Sequence, residues 1–293
     1  MIVEKILEVR NLTKRYSEFI LDDVSFSVPK GFIKGIIGPN GAGKTTTIKI
    51  IMNQIRANSG EVEVFGLDYR DSEKEIKNGI GYVGEEQYFY LNKSVGWIGR
   101  FVAQYYRHWD ENRFDSLLMR FRVSRSKKTR ELSKGMKVKL AFAIALAHNA
   151  DLLILDEPTS GLDPVIRREI LDLLKNVCQE EGKSVLISSH ITDDLVRIAD
   201  YVTFMHEGRI ILESEKDELL SNWKRIHFRK GALPPQVIAS LSHVQEHMFG
   251  SSGITRNFLA LKDSLADGIA RENVKVENVT LDDILITFVK AGG

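Results

Sequence analysis

The stretch GIIGPNGAGKTT, residues 35–46, decides the fold. Within it Gly38, Gly43, Lys44 and Thr45 have the spacing GxxxxGK[ST] of a phosphate-binding loop. The apolar run FIKGII precedes the loop and the helical pattern TTIKIIM follows it, so motif and context agree. Glycines let backbone N–H groups turn toward a phosphate, and a helix N-terminus adds partial positive charge. The stretch therefore predicts a triphosphate site between a buried strand and a helix.

Each side chain of this loop has an expected role. The Lys44 ammonium would reach the β- and γ-phosphates, and the Thr45 hydroxyl would bind Mg²⁺. A glycine-rich turn that matches by chance is the alternative, and the buried strand before the loop argues against it. The predicted nucleotide-binding residues are Gly38, Pro39, Asn40, Gly41, Ala42, Gly43, Lys44, Thr45 and Thr46.

The segment LLILDEPTSGLDP, residues 152–164, places two adjacent acids at the end of an apolar strand. Buried carboxylates are costly unless a cation or a reaction uses them. Side chains alternate along a strand, so Asp156 and Glu157 should diverge. We expect Asp156 to hold Mg²⁺ and Glu157 to act as the general base on the attacking water. Two acids that merely cap the next turn would explain Asp156 and leave Glu157 without a purpose.

The strand patterns indicate an α/β fold with two kinds of sheet. The runs ILEVRNL, VSFSV and EVEVFG alternate apolar and polar residues, which predicts half-exposed antiparallel flanking strands. The runs FIKGIIG, LLILD and SVLISS are continuously apolar, which is typical of parallel strands covered on both faces. We therefore predict a P-loop nucleotide-binding core with antiparallel flanking strands, a helical subdomain and a small C-terminal α/β module.

Composition along the chain predicts the domain boundaries. We expect the nucleotide-binding domain to span 1–221, with a helical subdomain over about 68–150, and an accessory domain to span 222–293. Pro234 and Pro235 mark the start of the accessory domain, and GSSG at 250–253 reads as a loop. Strands are predicted at RIHFR, NFLALK and NVKVEN, and a last helix over 281–290 with Thr280 and Asp283 as a capping box.

Bulk properties exclude several classes of protein. The 293 residues carry a net charge of +1, so nothing draws the chain toward nucleic acid as a whole. Eight Lys or Arg lie between Arg122 and Lys139, but no aromatics are interleaved, so a solvated loop is the better interpretation.

The single cysteine, Cys178, excludes an intrachain disulfide and reads as structural. Charges near the N-terminus argue against a signal peptide, and the longest apolar run, 140–147, is short of the ~20 residues of a membrane helix.

The order of motifs resembles the ATP-binding subunits of ABC transporters, of the drug, peptide and antibiotic exporter type, over about residues 1–220. Between the two halves of the phosphate site lies LSKGM, residues 132–136, which is similar to the family signature LSGGQ. The resemblance implies ATP and Mg²⁺, a second ATPase subunit that is identical or different, and a multi-span permease in a separate chain at the cytoplasmic face of the membrane. The rival classes are a soluble ABC-like ATPase that acts on ribosomes or DNA, and a nucleotide sensor without turnover.

The resemblance also implies roles for single residues. Ser133 and Gly135 would contact the γ-phosphate on the other subunit, although Lys134 and Met136 depart from the family pattern. His190 matches the switch histidine. Asp163 would face the partner subunit.

Three further positions leave alternatives open. Tyr16 matches the aromatic that stacks on adenine, and its rival interpretation is an exposed strand-end tyrosine. Glu85 is the expected metal-sensing residue, with Gln87 as the alternative register. The aromatics Tyr88, Phe89, Tyr90, Trp97 and Phe101 would either receive the permease or form the core of the helical subdomain.

Overall fold

A computed structural model describes residues 4–248 and 250–291. The chain divides between Glu213 and Ser214 into two compact units. This division lies eight residues before the boundary expected from the sequence.

The first unit contains ten strands and seven α-helices among its described residues. The strands are β1 (Lys5–Arg15), β2 (Ile20–Pro29), β3 (Ile33–Ile37), β4 (Ser59–Val64), β5 (Leu67–Asp68), β6 (Ile80–Val83), β7 (Leu152–Asp156), β8 (Ser184–Ser189), β9 (Tyr201–His206) and β10 (Arg209–Glu215). The helices are α1 (Lys44–Ile51), α2 (Tyr69–Gly79), α3 (Val95–Ala103), α4 (Glu111–Arg120), α5 (Lys134–Ala147), α6 (Pro164–Glu181) and α7 (Thr192–Ile198), with a 3₁₀ turn at Thr129–Glu131.

Two sheets form the first unit, as the two strand patterns predict. An antiparallel sheet has the order β2-β1-β4-β5, and a second sheet has the order β10-β9-β3-β8-β7-β6. Within the second sheet β9, β3, β8, β7 and β6 run parallel to their neighbours. Strands β3, β7 and β8 are buried along their whole length. The carboxyl ends of these three strands therefore meet at one edge of the sheet, where ligands bind in α/β folds.

The range predicted as helical, about 68–150, contains helices α2 to α5 and also the strand β6. Helix α5 is buried over most of its length and packs against α4 and β6. Its first residue follows Ser133, whose Oγ accepts a hydrogen bond from the backbone N–H of Met136 at 3.3 Å. The signature segment thus begins a helix, as expected for a serine N-cap.

The second unit is a four-stranded antiparallel sheet of order β12-β13-β11-β14 with helices. Its elements are α8 (Lys216–Asn222), β11 (Lys224–Phe228), α9 (Pro235–Ala239), β12 (Ser242–His247), β13 (Gly250–Thr255), α10 (Phe258–Ala270), β14 (Val274–Asn278) and α11 (Leu281–Ala291). The capping box before α11 is confirmed: Asp283 N–H donates to Thr280 Oγ1 at 3.1 Å, and Thr280 N–H donates to Asp283 Oδ2 at 3.0 Å.

Two predictions for the second unit are wrong. The segment NFLALK is the start of helix α10, because Phe258, Leu261 and Leu265 pack into the core at helical spacing. The segment GSSG is the start of strand β13, which pairs on both sides. Its small side chains allow a close approach, since a Cβ at Gly253 would lie 2.9 Å from the Cβ of Leu241. Tertiary packing overrides the turn preference of these residues.

Cys178 is structural, as expected. Its Sγ donates to the carbonyl oxygen of Gly31 at 3.1 Å. Burial raises the pKa of the Cys178 thiol to about 11. The reactive thiolate is therefore scarce at neutral pH.

His148 at the end of α5 is a buried titratable group in the first unit. It is 2% exposed, and its ring stacks on Tyr106 with centroids 3.9 Å apart. Its Nδ1 lies 3.1 Å from the carbonyl oxygen of Ile144, and its Nε2 lies 3.0 Å from that of Ile80. The pKa of His148 is lowered, chiefly by burial. The charge of Lys183 also lowers this pKa, whereas the two contacts with carbonyl oxygens raise it.

Acidification should destabilise the first unit through His148. In the unfolded chain the ring titrates near pH 6.5, whereas in the folded chain its pKa is lower, so the unfolded state binds more protons below that pH. The stability that His148 contributes is present above about pH 6.5 and is lost as the pH falls through the folded pKa. Urea unfolding at pH values between 7.5 and 5 measures the free energy of unfolding. Its dependence on pH should be weaker in His148→Gln and unchanged in His108→Gln, a change at an exposed histidine.

Candidate active site

The phosphate loop joins β3 to α1 through residues 38–43. Gly41 and Gly43 have φ angles of 82° and 108°, which side-chain-bearing residues rarely adopt. Gly43 is the N-cap of α1, so the loop leads directly into the positive end of that helix. The backbone has the form that the sequence pattern predicts for an anion cradle.

Lys44 is held inside this loop. Its side chain is 5% exposed, and Nζ donates to the carbonyl oxygens of Gly38 at 2.7 Å and Pro39 at 3.2 Å. The same Nζ lies 3.2 Å from Oε1 of Glu157, which accepts no hydrogen bond. The ammonium therefore lies between the loop and the second acid of the β7 segment.

Asp156 ends strand β7 and is tied to two hydroxyl groups. Its Oδ1 accepts from Ser188 Oγ at 2.7 Å and from Thr45 Oγ1 at 3.2 Å. The predicted metal ligands Thr45 and Asp156 are thus neighbours, although 111 residues separate them. Burial, followed by the charge of Asp156, raises the pKa of Tyr82 on the adjacent strand β6. Ser188 belongs to this site and was not predicted; the signal for it is a serine inside a buried strand.

Glu157 follows the last residue of β7, and its carboxylate has different partners from that of Asp156. Its Oε2 lies 2.8 Å from Nδ1 of His190 and accepts the backbone N–H of His190 at 3.2 Å. Its own N–H donates to Oγ of Ser188 at 3.0 Å. The φ angle of Glu157 is 49°, an unusual value for a residue with a side chain, and such backbone strain clusters at functional sites. The two predicted catalytic side chains are therefore in contact.

These groups surround an open cavity of about 730 Å³. Its lining consists of Phe19, Asn40, Gly41, Ala42, Gly43, Lys44, Thr45, Thr46, Glu85, Glu157, Ser160 and His190. Ser160 and Phe19 were not predicted from the sequence. Of the predicted residues, Gly38 and Pro39 contribute through the carbonyl oxygens that hold Lys44, and Asp156 contributes through Thr45.

The aromatic ring at the cavity is that of Phe19 and not that of Tyr16. Tyr16 is 46% exposed and lies outside the lining, with its ring centroid 6.5 Å from that of Phe19. Phe19 is fixed by the fold, since a Cβ at Gly43 would lie 3.1 Å from its ring. The signal in the sequence was a second aromatic three residues after Tyr16.

The segments expected to act on a second subunit lie outside the cavity of their own chain. Neither Ser133 nor Gly135 contributes to its lining. Asp163 is the N-cap of α6, accepting from the N–H groups of Val165 at 3.1 Å and Ile166 at 3.0 Å. Lys134 lies against the loop before Asp163, because a Cβ at Gly161 would be 2.7 Å from the Lys134 Nζ.

Glu85 lines the cavity, whereas the Gln87 side chain is engaged elsewhere. Nε2 of Gln87 donates to the carbonyl oxygen of Gly84 at 2.6 Å. In position, Glu85 is thus the better candidate of the two for a metal-sensing group.

The aromatics after Glu85 form a partly exposed cluster, in which Trp97 and Phe101 are half-buried. Tyr88 and Tyr90 are 85% and 60% exposed. The Tyr90 ring meets Trp97 and Phe101 edge to face at 5.7 and 5.8 Å, and Trp97 stacks on Phe101 at 5.0 Å. We call Tyr88, Tyr90, Trp97 and Phe101 the aromatic cluster. Contiguous exposed aromatics mark interaction surfaces.

The chain is similar to several known proteins. The family described as ABC transporter matches residues 21–160. A bacitracin transport ATP-binding protein of Bacillus licheniformis is 31% identical over 98% of this chain and 98% of its own length. A lantibiotic transport ATP-binding protein of Streptococcus pyogenes is 36% identical over 72% of this chain and 91% of its own.

Solved structures of ABC transporter ATP-binding proteins are similar to somewhat less than three quarters of this chain. The ATP-binding subunit of an ABC transporter is 30% identical with a TM-score of 0.68, covering 74% of this chain and 92% of that one. A dimeric bacterial ABC transporter cassette is 25% identical with a TM-score of 0.63, covering 71% of this chain and 98% of that one.

Ser188→Ala should weaken both the fold and the site. The change removes the hydroxyl that donates to Asp156 and accepts from Glu157, which predicts a loss of about 1–3 kcal/mol in the free energy of unfolding. ATP turnover should fall about tenfold or more, because both acids lose a positioning contact. Urea unfolding and steady-state phosphate release measure the two effects.

The matched control is Ser184→Ala at the opposite end of the same strand. The Ser184 hydroxyl is equally buried and accepts the N–H of Gly31 at 2.8 Å. This variant should lose comparable stability and keep its turnover. Equal turnover in both variants would contradict the assigned role of Ser188.

Proposed function

We propose that this chain, which belongs to the family of ABC transporter ATP-binding proteins, powers export by a separate membrane permease through closing and opening of an ATPase dimer. As a member of that family the chain is the ATP-binding, ATP-hydrolysing subunit of a transporter. The observation that carries the residue assignments is the convergence of Lys44, Thr45, Asp156, Glu157 and His190 on one cavity edge.

The phosphate loop binds the triphosphate. Backbone N–H groups of residues 40–46 and the N-terminus of α1 attract the phosphates, and the Lys44 ammonium contributes a positive charge. The Lys44 ammonium is already desolvated and held by two carbonyl oxygens, so little side-chain freedom is lost when phosphate arrives. Phe19 offers the ring nearest the cavity for the adenine base, with Tyr16 as the flanking aromatic.

The residues fit a Mg²⁺ ion. Thr45 Oγ1 and Asp156 Oδ1 are 3.2 Å apart, a pair of oxygen donors beside the phosphate loop. Mg²⁺ is usually held by one or two carboxylates together with water and substrate phosphates, which is the donor set present here. Glu85 lines the same cavity as a further carboxylate. When bound, the ion would neutralise charge on the phosphates.

Hydrolysis uses Glu157 and His190. Glu157 accepts the proton of the attacking water as its oxygen bonds to the γ-phosphorus, and the bond from that phosphorus to the bridging oxygen breaks, giving ADP and phosphate. Oε1 of Glu157 is buried 3.2 Å from Lys44 Nζ and accepts no hydrogen bond, while Oε2 is in contact with His190. His190 thus orients the base, and it lines the cavity where the γ-phosphate would bind.

A second ATPase subunit completes the site. Ser133 and Gly135 of one copy would face the γ-phosphate of the other at the N-terminus of α5, and Asp163 would lie at the contact. A homodimer is the simplest assembly, with two-fold symmetry and both nucleotides at the interface. Loss of the γ-phosphate then favours the open dimer, because the ligand no longer binds the closed state better.

The permease would dock on the aromatic cluster at the cytoplasmic face of the membrane. No helix within residues 4–248 and 250–291 is long and apolar enough to cross a bilayer. Exposed Trp and Tyr side chains are enriched at protein interfaces. Relatives named for bacitracin and lantibiotic transport make peptide antibiotics the first cargo class to test.

The transporter interpretation is favoured over a soluble ATPase that acts on ribosomes or DNA. The bacitracin transport relative matches this chain over 98% of both lengths, so the accessory unit is included in the similarity. A sensor without turnover would not need Glu157 and His190 in contact.

Glu157→Gln should abolish steady-state ATP turnover and trap an ATP-bound dimer. The amide keeps the size of the side chain and cannot accept the proton of water. Lys44→Ala should instead lose ATP affinity, because the triphosphate loses its buried counter-charge. Phosphate release, ATP binding and gel filtration with Mg-ATP separate the two variants. Equal turnover in wild type and Glu157→Gln would contradict the proposed base.

Trp97→Ala with Phe101→Ala should release the partner and leave the chemistry intact. Both rings belong to the aromatic cluster, are half-buried in this chain and lie outside the cavity lining. A multi-span protein recovered with the tagged wild type from native membranes should be lost with this variant, while ATP turnover of the isolated chain stays within about twofold. Recovery of the same protein by the variant would place the docking surface elsewhere. Tyr105→Ala serves as a control with a smaller expected loss of the partner. Tyr105 is an exposed aromatic that contacts Phe101 but is not a member of the cluster.

A further inference from the structure

A buried carboxylate outside the cavity, that of Asp194, joins the elements that carry the two catalytic side chains. Asp194 lies in the first turn of α7, four residues after His190, and is 2% exposed. Its Oδ2 accepts from Thr159 Oγ1 at 2.7 Å, and its Oδ1 accepts from Arg167 Nε at 2.5 Å. A buried charge persists only where it is paired, and both oxygens of this one have partners.

The partners of Asp194 belong to the segment that follows Glu157. Thr159 comes two residues after Glu157 and is 1% exposed. Arg167 lies in the first turns of α6, which Asp163 caps. The loop of residues 159–163 is therefore fixed at its start by α7 and at its end by α6.

Helix α7, which carries Asp194, is held in place by packing on the central sheet. A Cβ at Gly35 on β3 would lie 2.8 Å from Cδ1 of Leu195, so α7 packs closely on the central strand. The turn that leads from His190 into α7 is held by Ser189, whose Oγ accepts the N–H of Ile191 at 2.9 Å. The position of Asp194 is therefore coupled to that of His190 through this turn.

We propose that Asp194 is a positioning residue which, by binding Thr159 and Arg167, fixes the loop after Glu157 relative to His190. It acts through other residues, since neither Asp194 nor its partners line the cavity. The inference rests on the proposed roles of Glu157 and His190. The inference adds a reason for the 2.8 Å contact between Glu157 and His190. The segments that follow these two residues are joined by hydrogen bonds outside the cavity.

The paired variants Thr159→Val and Thr159→Ser test the link. Valine keeps the shape of threonine and lacks the hydroxyl, whereas serine keeps the hydroxyl and lacks the methyl group. We expect kcat to fall about tenfold in Thr159→Val with the KM for ATP within twofold, because geometry in the transition state is affected more than binding. Thr159→Ser should retain most of the wild-type kcat. A merely structural role would instead lower the thermal midpoint of both variants without the split between kcat and KM.

Asp194→Ala extends the test, with Asp193→Ala as the matched control. Asp193 is the neighbouring acid of the same turn and is exposed. Asp194→Ala should lose kcat as Thr159→Val does, the double variant should lose little more than either single change, and Asp193→Ala should match wild type. Multiplying losses in the double variant, or a kcat for Asp194→Ala equal to that of Asp193→Ala, would overturn the proposal.

Amide hydrogen exchange of residues 159–163, measured without nucleotide, separates this inference from the proposed function. Exchange should be faster in Thr159→Val and unchanged in Thr159→Ser, whether or not the chain hydrolyses ATP. Unchanged exchange in Thr159→Val would overturn the link, whereas absence of turnover in the wild-type chain would overturn only the proposed function.

Discussion

Two adjacent buried carboxylates at the end of β7 are the constraint on which the rest of the site depends. Asp156 and Glu157 are 2% and 6% exposed, and two negative charges so placed are unstable without compensation. The fold provides that compensation from four directions: the hydroxyls of Thr45 and Ser188 for Asp156, and Lys44 and His190 for Glu157. The compensating groups are those needed to bind a triphosphate and to orient water.

The parallel sheet is what allows this convergence. Strands β3, β7 and β8 lie side by side, so the phosphate loop, the acid pair and the His190 turn all leave the same edge. Two hydrogen bonds connect neighbouring segments here. One joins the strand residues Ser188 and Asp156, and the other joins Thr159 and Asp194 in the segments that follow the strands. A site assembled from three strand ends in this way is held together within one chain. The loop of residues 159–163 and the N-terminus of α5 already touch each other through Lys134 and Gly161.

The same chain carries features that serve stability rather than chemistry. Lys34 on β3 is almost completely buried and forms an ion pair with Glu213, and burial lowers the pKa of its ammonium. His148 and Cys178 are likewise buried groups whose pKa values move toward the neutral form. Desolvation is the largest cause of all three shifts, whereas Lys44, Asp156, Glu157 and His190 of the candidate site contact one another or a hydroxyl group around one cavity. This contrast distinguishes a core that tolerates a polar group from a site built around one.

The sequence by itself determined the phosphate loop, the acid pair, the two kinds of strand and the Ser133 cap of α5, because each depends on contacts or periodicities within a few neighbouring residues. It did not determine which aromatic borders the cavity, since Tyr16 and Phe19 share a short segment and only packing against Gly43 selects Phe19. The accessory unit shows the same limit: GSSG is a paired strand and NFLALK a helix because of partners distant in sequence. Ser188 and Asp194 too became functional residues only when the sheet placed them beside Asp156 and Thr159. Hydrogen bonds between residues more than thirty positions apart are decided by tertiary structure, because a linear pattern does not specify which strand ends meet.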